Sequence, residues 1–303
     1  MSYTDQHIPD QSGRTVLITG GNAGIGFAAA RLFAQRNARV LLGCRDAQKG
    51  EAACQTLVRE YPRSNIELVS LDLADLSAVR AAAARILEEP RLDILVNNAG
   101  VMVPPRTHTS EGFELQFGVN HLGHFALTGL LLPRLLSVAG SRVVTVSSLA
   151  HRWRAIDFED LHAQQSYRAG TRYGMSKLAN LLFSFELQRR LRSAGASTQS
   201  LACHPGAADT QLFGHVPIWL YRSLHPIARR LLNSATQGAL PLLRAATDID
   251  ARGGDYFGPS GPFELVRSAT RVKASATARN AAVAGRLWDV SVELTGVEPE
   301  FNP

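Results

Sequence analysis

Short apolar runs alternate with longer stretches of helical periodicity over most of the chain. Most of the runs are nearly continuous and rich in Val, Ile and Leu, which is typical of parallel strands covered on both faces. Strands are predicted at 14–19, 38–43, 66–71, 92–97, 142–147, near 198–203 and around 255–257. Helices are predicted at 24–36, 47–61, 76–88, 111–136 (with Pro133 as an interruption), 173–194 and near 235–247. This alternation predicts an α/β fold with a doubly wound parallel sheet and helices on both faces.

No internal repeat or low-complexity linker divides the chain, so residues 14–303 are expected to form a single Rossmann-type, dinucleotide-binding catalytic domain. Residues 1–13 are interpreted as a polar N-terminal extension. Two irregular segments, 149–171 and 206–233, leave the carboxyl end of the sheet, where ligands bind in such folds. The second is rich in apolar and aromatic residues and is interpreted as a substrate lid. Its arginines make peripheral membrane contact an alternative, which is less favoured because no second anchor is visible.

Composition narrows the functional class. The chain has 303 residues, 45% of them hydrophobic, and no run that approaches the roughly 18–20 apolar residues of a membrane span. With a polar N-terminus and three cysteines that form no Cys-x-x-Cys pair, we expect a cytoplasmic protein with reduced thiols. The formal charge of +6 comes from scattered arginines without a polybasic block, so nucleic acid is not an expected partner. A homo-oligomer is compatible with the sequence.

A glycine-rich string follows the first predicted strand and precedes the first helix. Residues 19–26 read Thr-Gly-Gly-Asn-Ala-Gly-Ile-Gly. Glycine lets the backbone approach a phosphate closely, and the helix that follows presents free N–H groups to it. In this strand-to-helix context the string predicts a pyrophosphate cradle. The candidate residues are Gly20, Asn22, Gly24, Ile25 and Gly26.

The end of the second strand indicates which dinucleotide binds. An acidic residue there would bind the adenosine 2′-hydroxyl, whereas an arginine accommodates a 2′-phosphate. Cys44 stands where the acid is expected and Arg45 follows, so NADP(H) is favoured over NAD(H). Asp46 is interpreted as the cap of the next helix. The alternative is that Arg45 is an ordinary surface residue and Asp46 binds the ribose.

Two further strand ends are candidates for the cofactor site. Asp72, followed by Leu73, comes after the third strand and is a candidate partner of the adenine amino group. The alternative is a turn aspartate that caps the helix near Leu76. Small residues and side-chain amides that suit close backbone approach end the fourth strand, namely Asn98, Ala99 and Gly100.

Tyr173 and Lys177 lie one helical turn apart at the start of a predicted helix. A nearby ammonium stabilises a phenolate and lowers its pKa from about 10, which would let Tyr173 act as a general acid or base nearer neutral pH. The chain contains only three lysines, Lys49, Lys177 and Lys273. Because arginine supplies nearly all other positive charge, the lysine at 177 indicates a need for a compact ammonium.

These strings together resemble the short-chain dehydrogenase/reductase superfamily. They are Thr-Gly-x-x-x-Gly-x-Gly, Asn-Asn-Ala-Gly at 97–100, a serine after the fifth strand and Tyr-x-x-x-Lys, in that order over about residues 14–210. The strings at 44–46, 120–125, 147–151 and 176–180 resemble the retinol-dehydrogenase-like group. That group also includes relatives of WW-domain oxidoreductases and of protochlorophyllide reductases.

The resemblance implies further roles. Ser148, in preference to its neighbour Ser147, would orient the substrate oxygen, and Lys177 would also hold the nicotinamide ribose. Asn120 would hold a water that leads to solvent; the alternative is an amide that satisfies backbone groups. The backbone at Pro205 and Gly206 would pass the nicotinamide amide, to which Thr210 is a candidate hydrogen-bond partner.

The resulting hypothesis is an NADP(H)-dependent oxidoreductase that transfers a hydride between nicotinamide and an apolar aldehyde, ketone or alcohol. Alternatives are a double-bond reductase of the protochlorophyllide-reductase type and a non-catalytic NADP-binding sensor. The joint presence of Ser148, Tyr173 and Lys177 argues against a sensor. No metal site is expected. His121, His124 and His151 are interpreted as packing or hydrogen-bonding groups, because no carboxylate or cysteine stands at ligand spacing from them.

Overall fold

The computed structural model describes residues 3–206 and 234–301, and within these ranges eight strands form one sheet. The sheet order is β3-β2-β1-β4-β5-β6-β7-β8, parallel except for the antiparallel pair β7 and β8. The strands are β1 (Thr15–Thr19), β2 (Arg39–Cys44), β3 (Asn65–Ser70), β4 (Ile94–Asn97), β5 (Arg142–Val146), β6 (Gln199–Cys203), β7 (Tyr256–Pro259) and β8 (Ala269–Arg271). The predicted single-domain Rossmann-type α/β fold is confirmed.

Helices cover both faces of the sheet. They are α1 (Gly24–Gln35), α2 (Ala47–Glu60), α3 (Leu76–Leu87), α4 (Leu115–Phe117), α5 (Gly123–Leu136), α6 (Ala169–Ser193), α7 (Ala235–Thr247) and α8 (Ala281–Thr295). Alternate strand residues point to opposite faces, so Val16 and Ile18 join a core with α1, α2 and α7, whereas Leu17 joins a core with α3, α5 and α6. Between β1 and β4 the strand order reverses, and this is where a crevice opens at the carboxyl ends of the strands.

The predicted helix over 111–136 is wrong in its first half. The chain forms the short α4, then a π-helical turn (Gly118–Leu122), and then α5. The Glu114 carboxylate caps α4 by accepting hydrogen bonds from the amides of Gln116 and Phe117. Pro133 does not interrupt α5, which continues to Leu136. Apolar periodicity continues through the whole stretch, so the sequence pattern conceals the π-helical turn.

The described part of the N-terminal extension packs against the domain. Tyr3 forms a bridge with Ala269 in β8, and its hydroxyl lies 2.8 Å from Oγ1 of Thr247 in α7. Ile8 is fully buried. Residues 3–13 therefore add to the core beside the last strand, although their composition is mainly polar.

Helix α8, in a region where the sequence analysis assigned no helix, covers the outer side of α5 and α6. The indole of Trp288 stacks on Phe183 with ring centroids 6.0 Å apart and meets Phe125 edge-on at 5.0 Å. The His121 imidazole lies in the same aromatic group, and its Nε2 is 2.8 Å from Oγ of Ser291. Among the described residues, no helix has both the length and the apolar character needed to cross a membrane.

Candidate active site

A cleft of about 590 Å³ opens at the carboxyl ends of the strands around the β1–β4 reversal. Its walls come from the loops after β1, β2, β3, β4 and β5 and from the start of α6. The site residues predicted from sequence that line it are Gly20, Asn22, Gly24, Ile25, Gly26, Arg45, Asp72, Leu73, Asn98, Ala99, Gly100, Tyr173, Lys177 and Pro205. Segments far apart in the chain thus meet around one elongated space.

The loop between β1 and α1 forms one end of the cleft, the loop end. Gly20 and Gly24 have left-handed φ angles of 66° and 55°, which favour glycine. A side chain at Gly26 would collide with the Gly20 carbonyl and with Nδ2 of Asn98, which itself donates to the Thr19 carbonyl at 2.8 Å. The helix cap, Ala23, has no side-chain oxygen, so the first N–H groups of α1 are left for a ligand.

Arg45 and Lys49 bring positive charge to the wall of the cleft beyond β2. Asp46 caps α2, as predicted, because its carboxylate accepts from the Lys49 amide at 3.1 Å. It also forms an ion pair with the Lys49 ammonium at 3.2 Å. The helix and Lys49 therefore engage Asp46, while Arg45 stands beside the cleft. The sequence analysis did not assign Lys49, although its position one turn after Arg45 was a usable signal.

Asp72 lies in the cleft wall after β3, and its Oδ1 accepts a hydrogen bond from the Ala74 amide at 2.9 Å. The alternative interpretation of Asp72 as the cap of α3 is wrong. Asp75 is that cap, because its carboxylate accepts from the amides of Ser77 and Ala78. Asp72 instead braces the turn that carries Leu73 along the cleft.

Thr19 at the end of β1 joins the two sides of the site through a buried histidine. Its hydroxyl oxygen accepts from the amides of Asn98 and Ala99 at 2.9 Å and lies 2.8 Å from His124 Nε2. The other nitrogen, His124 Nδ1, lies 3.0 Å from the carbonyl of Asn120. Burial lowers the pKa of His124 to about 4, so the ring is neutral and Nδ1 donates to that carbonyl. The histidine is a hydrogen-bonding group, as expected, but its link to Thr19 had no signal in the sequence.

Tyr173 and Ser148 meet at the opposite end of the cleft, the tyrosine end. Ser148 caps the 3₁₀ helix Leu149–Trp153, and its side chain lies close enough to the Tyr173 phenol to lower the pKa of that phenol. Burial raises the pKa of Tyr173, and the proximity of Ser148 opposes the rise only in part. The sequence had suggested a lowered value through Lys177. The protein groups alone instead keep the phenol protonated at neutral pH.

Ser147 points away from Tyr173. Its hydroxyl donates to the Lys177 carbonyl at 2.7 Å, so it holds α6 against β5. Ser147 lines the cleft and Ser148 does not, but the Ser147 hydroxyl is engaged by α6, whereas the side chain of Ser148 lies near the phenol and lowers its pKa. Ser148 remains the predicted residue of the two.

Lys177 is buried beneath the cleft. Its Nζ donates to the Val146 carbonyl at 3.2 Å and lies 5.8 Å from the centre of the Tyr173 ring. Burial lowers its pKa from 10.5 to about 8. A Cβ at Gly100 would stand 3.4 Å from this Nζ and 3.0 Å from Oδ1 of Asn120, so glycine lets the β4 loop pass between the two.

The amide of Asn120 is fully engaged. Its Oδ1 accepts from the Val101 amide at 2.8 Å, and its Nδ2 donates to the Val101 carbonyl at 3.0 Å and to Ser176 Oγ at 2.9 Å. This arrangement matches the alternative interpretation, an amide that satisfies backbone groups. Asn120 thereby fixes the loop after β4 to α6, and its own carbonyl is held by His124.

Pro205 lines the cleft, and Gly206, which follows it, has a left-handed φ angle of 70°. Thr210 and all of the proposed lid (206–233) except Gly206 lie outside the described residues. His121 and His151 are buried groups with packing or hydrogen-bonding contacts, as expected.

The chain is similar to known proteins. A model of the short chain dehydrogenase family matches residues 14–219. Retinol dehydrogenase 12 of Mus musculus is 43% identical over 98% of this chain and 90% of its own length. A crystal structure of an uncharacterized protein from Mycobacterium paratuberculosis superposes with a TM-score of 0.83 at 40% identity, covering 99% of this chain and all of the other. RhlG of Pseudomonas aeruginosa, solved with NADP, has a TM-score of 0.66 at 26% identity, covering 84% of this chain and 97% of its own.

Proposed function

The chain belongs to the short-chain dehydrogenase/reductase family, in its retinol-dehydrogenase-like group, and we propose that it uses NADP(H) to reduce apolar aldehydes and ketones and to oxidise the corresponding alcohols. Oxidoreduction at CH–OH and C=O groups follows from the family. The cofactor preference, the substrate class and the roles of individual residues are the proposal. One observation carries it: Tyr173, with Ser148 near its phenol and the buried Lys177 ammonium 5.8 Å from its ring centre, stands at one end of a cleft whose other end is a glycine-rich turn.

The residues of the cleft fit a nicotinamide dinucleotide. The uncapped N-terminus of α1 suits a pyrophosphate because its first N–H groups have no side-chain cap, and the glycines of the loop end let the backbone approach the ligand closely. Asp72 and the loop at 98–100 border the space between that end and Tyr173. When bound, the nicotinamide supplies or accepts the hydride.

The chain's own residues handle the proton. Because burial raises its pKa, Tyr173 is a protonated phenol at neutral pH and donates to a carbonyl oxygen as that oxygen gains charge. Ser148, close to the same phenol, orients the oxygen. Lys177 places positive charge below the Tyr173 ring and stabilises the phenolate that remains. This protonation state favours the reduction of carbonyls at neutral pH.

NADP(H) is proposed over NAD(H) because of the charges beyond β2. Arg45 borders the cleft, and Asp46 is held by the backbone and the ammonium of Lys49. A guanidinium there matches a 2′-phosphate, whereas the Asp46 carboxylate, which also lines the cleft, is already engaged by the amide and the ammonium of Lys49 and is less suited to a 2′-hydroxyl. RhlG, the structural relative solved with NADP, agrees with this preference.

An apolar substrate is proposed on two grounds. The relatives at about 40% identity are named as retinol dehydrogenases, and retinol is an apolar primary alcohol. Within this chain, Trp153 is 78% exposed on the 3₁₀ helix that Ser148 caps, so a large apolar side chain is free to meet a ligand five residues from the proposed serine.

The test is a screen of NADPH consumption over retinal, aliphatic aldehydes, aryl ketones and steroid ketones, repeated with NADH and followed by product identification. We expect alcohols as products, faster turnover with apolar carbonyls and a preference for NADPH. Reduction of a carbon–carbon double bond with the carbonyl left intact would overturn the proposal in favour of a double-bond reductase.

A further inference from the structure

A polar cluster outside the cleft joins three segments that end beside it. The Glu264 carboxylate divides its oxygens between two partners: Oε1 accepts from the Arg152 guanidinium at 2.6 Å, and Oε2 lies 3.0 Å from Nε2 of His204. His204 is fully buried, and the two charged residues are about three-quarters buried, with exposed fractions of 28% and 24%. An arginine–carboxylate pair in such a setting is stronger than one on an open surface.

The hydrogen bonds of His204 define its tautomer. The Gly206 amide donates to Nδ1 at 3.2 Å, so Nδ1 carries no proton. The single proton is then on Nε2, and Nε2 donates to Glu264. Burial lowers the pKa of His204, which keeps this ring neutral. Glu264 thus holds the amide of Gly206 in place through the imidazole.

The other oxygen of Glu264 holds the serine side of the site. Arg152 belongs to the last turn of the 3₁₀ helix that Ser148 caps. His151, its neighbour, accepts from the Ser275 amide through Nε2 and therefore donates from Nδ1 to the Ser148 carbonyl at 2.7 Å. Contacts therefore hold the short helix at both ends: His151 binds the Ser148 carbonyl at its start, and Glu264 binds Arg152 in its last turn.

The backbone that presents Glu264 is strained. Phe263 and Glu264 both have left-handed φ angles, 55° and 58°, although neither is glycine. Such residues cost on the order of 1–3 kcal/mol each and persist only where surrounding contacts impose them. Gly206 also packs so closely on the Leu265 carbonyl that a Cβ would collide with it. The strained backbone and the close packing of Gly206 thus lie next to the contacts of the Glu264 carboxylate.

We propose that Glu264 is a positioning residue that sets the distance between Ser148 on one side of the reacting carbonyl and the Pro205–Gly206 backbone on the other. The inference rests on the proposed function, because it assigns Glu264 a part in that same site. Ser148 follows β5 and Gly206 follows β6, so one carboxylate connects the ends of two adjacent strands. Without it, the serine turn and the Gly206 backbone move independently, and a misplacement on the order of 1 Å is costly to hydride transfer.

The kinetic test compares Glu264→Ala and Glu264→Gln with Glu60→Gln. Glu60 forms a comparable pair with Arg31, 2.7 Å apart, between α2 and α1 and away from the cleft lining, so it is the matched control. We expect Glu264→Ala to raise the carbonyl KM about tenfold and to lower kcat, with the NADPH dissociation constant within about twofold of wild type because the loop end is unaltered. Glu264→Gln keeps a side-chain oxygen that can accept from His204, so we expect its KM and kcat to lie between those of Glu264→Ala and the wild type.

The decisive outcomes differ between a positioning and a structural role. If Glu264→Ala lowers Tm but the folded enzyme keeps wild-type KM and kcat, Glu264 only stabilises the fold and the proposal is wrong. If Glu60→Gln shifts KM as much as Glu264→Ala, the effect is one of charge and the proposal is also wrong.

A second measurement does not depend on turnover. In ¹⁵N-histidine-labelled protein, the His204 signals can be assigned by their loss in His204→Gln, and we expect a single neutral tautomer with the proton on Nε2. In Glu264→Ala that pattern should give way to mixed tautomers. An unchanged pattern would overturn the proposal, whereas a substrate screen without activity would overturn the proposed function and leave this spectroscopic result readable.

Discussion

The two ends of the cleft use different parts of the chain. At the loop end, glycines, backbone amides and the start of α1 form the surface, and a few side chains such as Arg45 and Asp72 stand at its border. At the tyrosine end, the half-buried Tyr173 meets the buried Lys177, and the buried His124 also belongs to this region. The loop end resembles an ordinary strand-to-helix turn, whereas the tyrosine end keeps polar groups out of water.

This difference separates binding from chemistry and also separates their effects on stability. A backbone cradle costs the fold little, because its amides are satisfied by a ligand or by water. Buried ionisable groups destabilise the fold unless they are paired. Substitutions at the loop end should therefore change affinity, and those at the tyrosine end should change turnover and stability in opposite directions.

The largest effect is expected for Tyr173→Phe. It removes the transferable proton and keeps the ring, so turnover should fall at least ~10²-fold while NADPH binding is retained. Steady-state kinetics and a fluorescence titration with NADPH measure the two separately. Lys177→Arg should also lose turnover, although it keeps the positive charge, because a forked guanidinium cannot replace a compact ammonium. Near-normal turnover of Tyr173→Phe on a verified substrate would remove Tyr173 from the mechanism.

Lys177→Met should stabilise the protein while it abolishes activity. The Lys177 pKa is about 8 in the fold against 10.5 outside it, and at 1.36 kcal/mol per pKa unit the buried charge costs about 3 kcal/mol. The cost is complete below pH 8, where both states are protonated, and disappears as the pH rises to 10.5. Val146 keeps a partner in Asn180, whose Nδ2 donates at 3.0 Å.

The prediction is tested by measuring the free energy of unfolding of the wild type and of Lys177→Met from pH 7 to pH 10.5. The advantage of the methionine variant should shrink over that range. A variant that is less stable than wild type at pH 7 would mean that Lys177 is well solvated or paired in the fold.

Arg45→Ala tests the cofactor preference at the loop end. A charge-assisted contact with a phosphate contributes about 1.5–3 kcal/mol, so the NADPH dissociation constant should rise about tenfold or more, with little change for NADH. Titration of both cofactors against both proteins gives the comparison. Equal affinity of the wild type for the two cofactors would contradict the preference.

Gly26→Ala tests whether the loop end is built from backbone packing. The new methyl group would meet the Gly20 carbonyl and Asn98 Nδ2, and overpacking of this kind costs about 1–3 kcal/mol. NADPH affinity should fall about fivefold to tenfold, with kcat at saturating cofactor retained. Gly285→Ala is the control: it lies in α8 with open space around it and should stabilise the protein by about 0.5–1 kcal/mol without altering affinity.

The loop end could be predicted from the sequence more fully than the tyrosine end. The strands and the glycine-rich turn are local patterns, so their positions and the family could be predicted from neighbouring residues. The π-helical turn at Asn120, the choice of Asp75 over Asp72 as a cap and the contacts of His124 depend on how distant segments meet. The raised pKa of Tyr173 has the same origin, because burial by the complete fold outweighs the opposing effect of the nearby Ser148. Such features have no local signature.

Helix α8 has a consequence for how the chain is made. Trp288 covers Phe183 on α6, the helix that carries Tyr173 and Lys177, and α8 follows α6 late in synthesis. While α8 is still inside the ribosome, the aromatic surface of α6 is exposed to water, and intermediates with such surfaces aggregate readily. We therefore expect the chain to be prone to aggregation until α8 docks on α6.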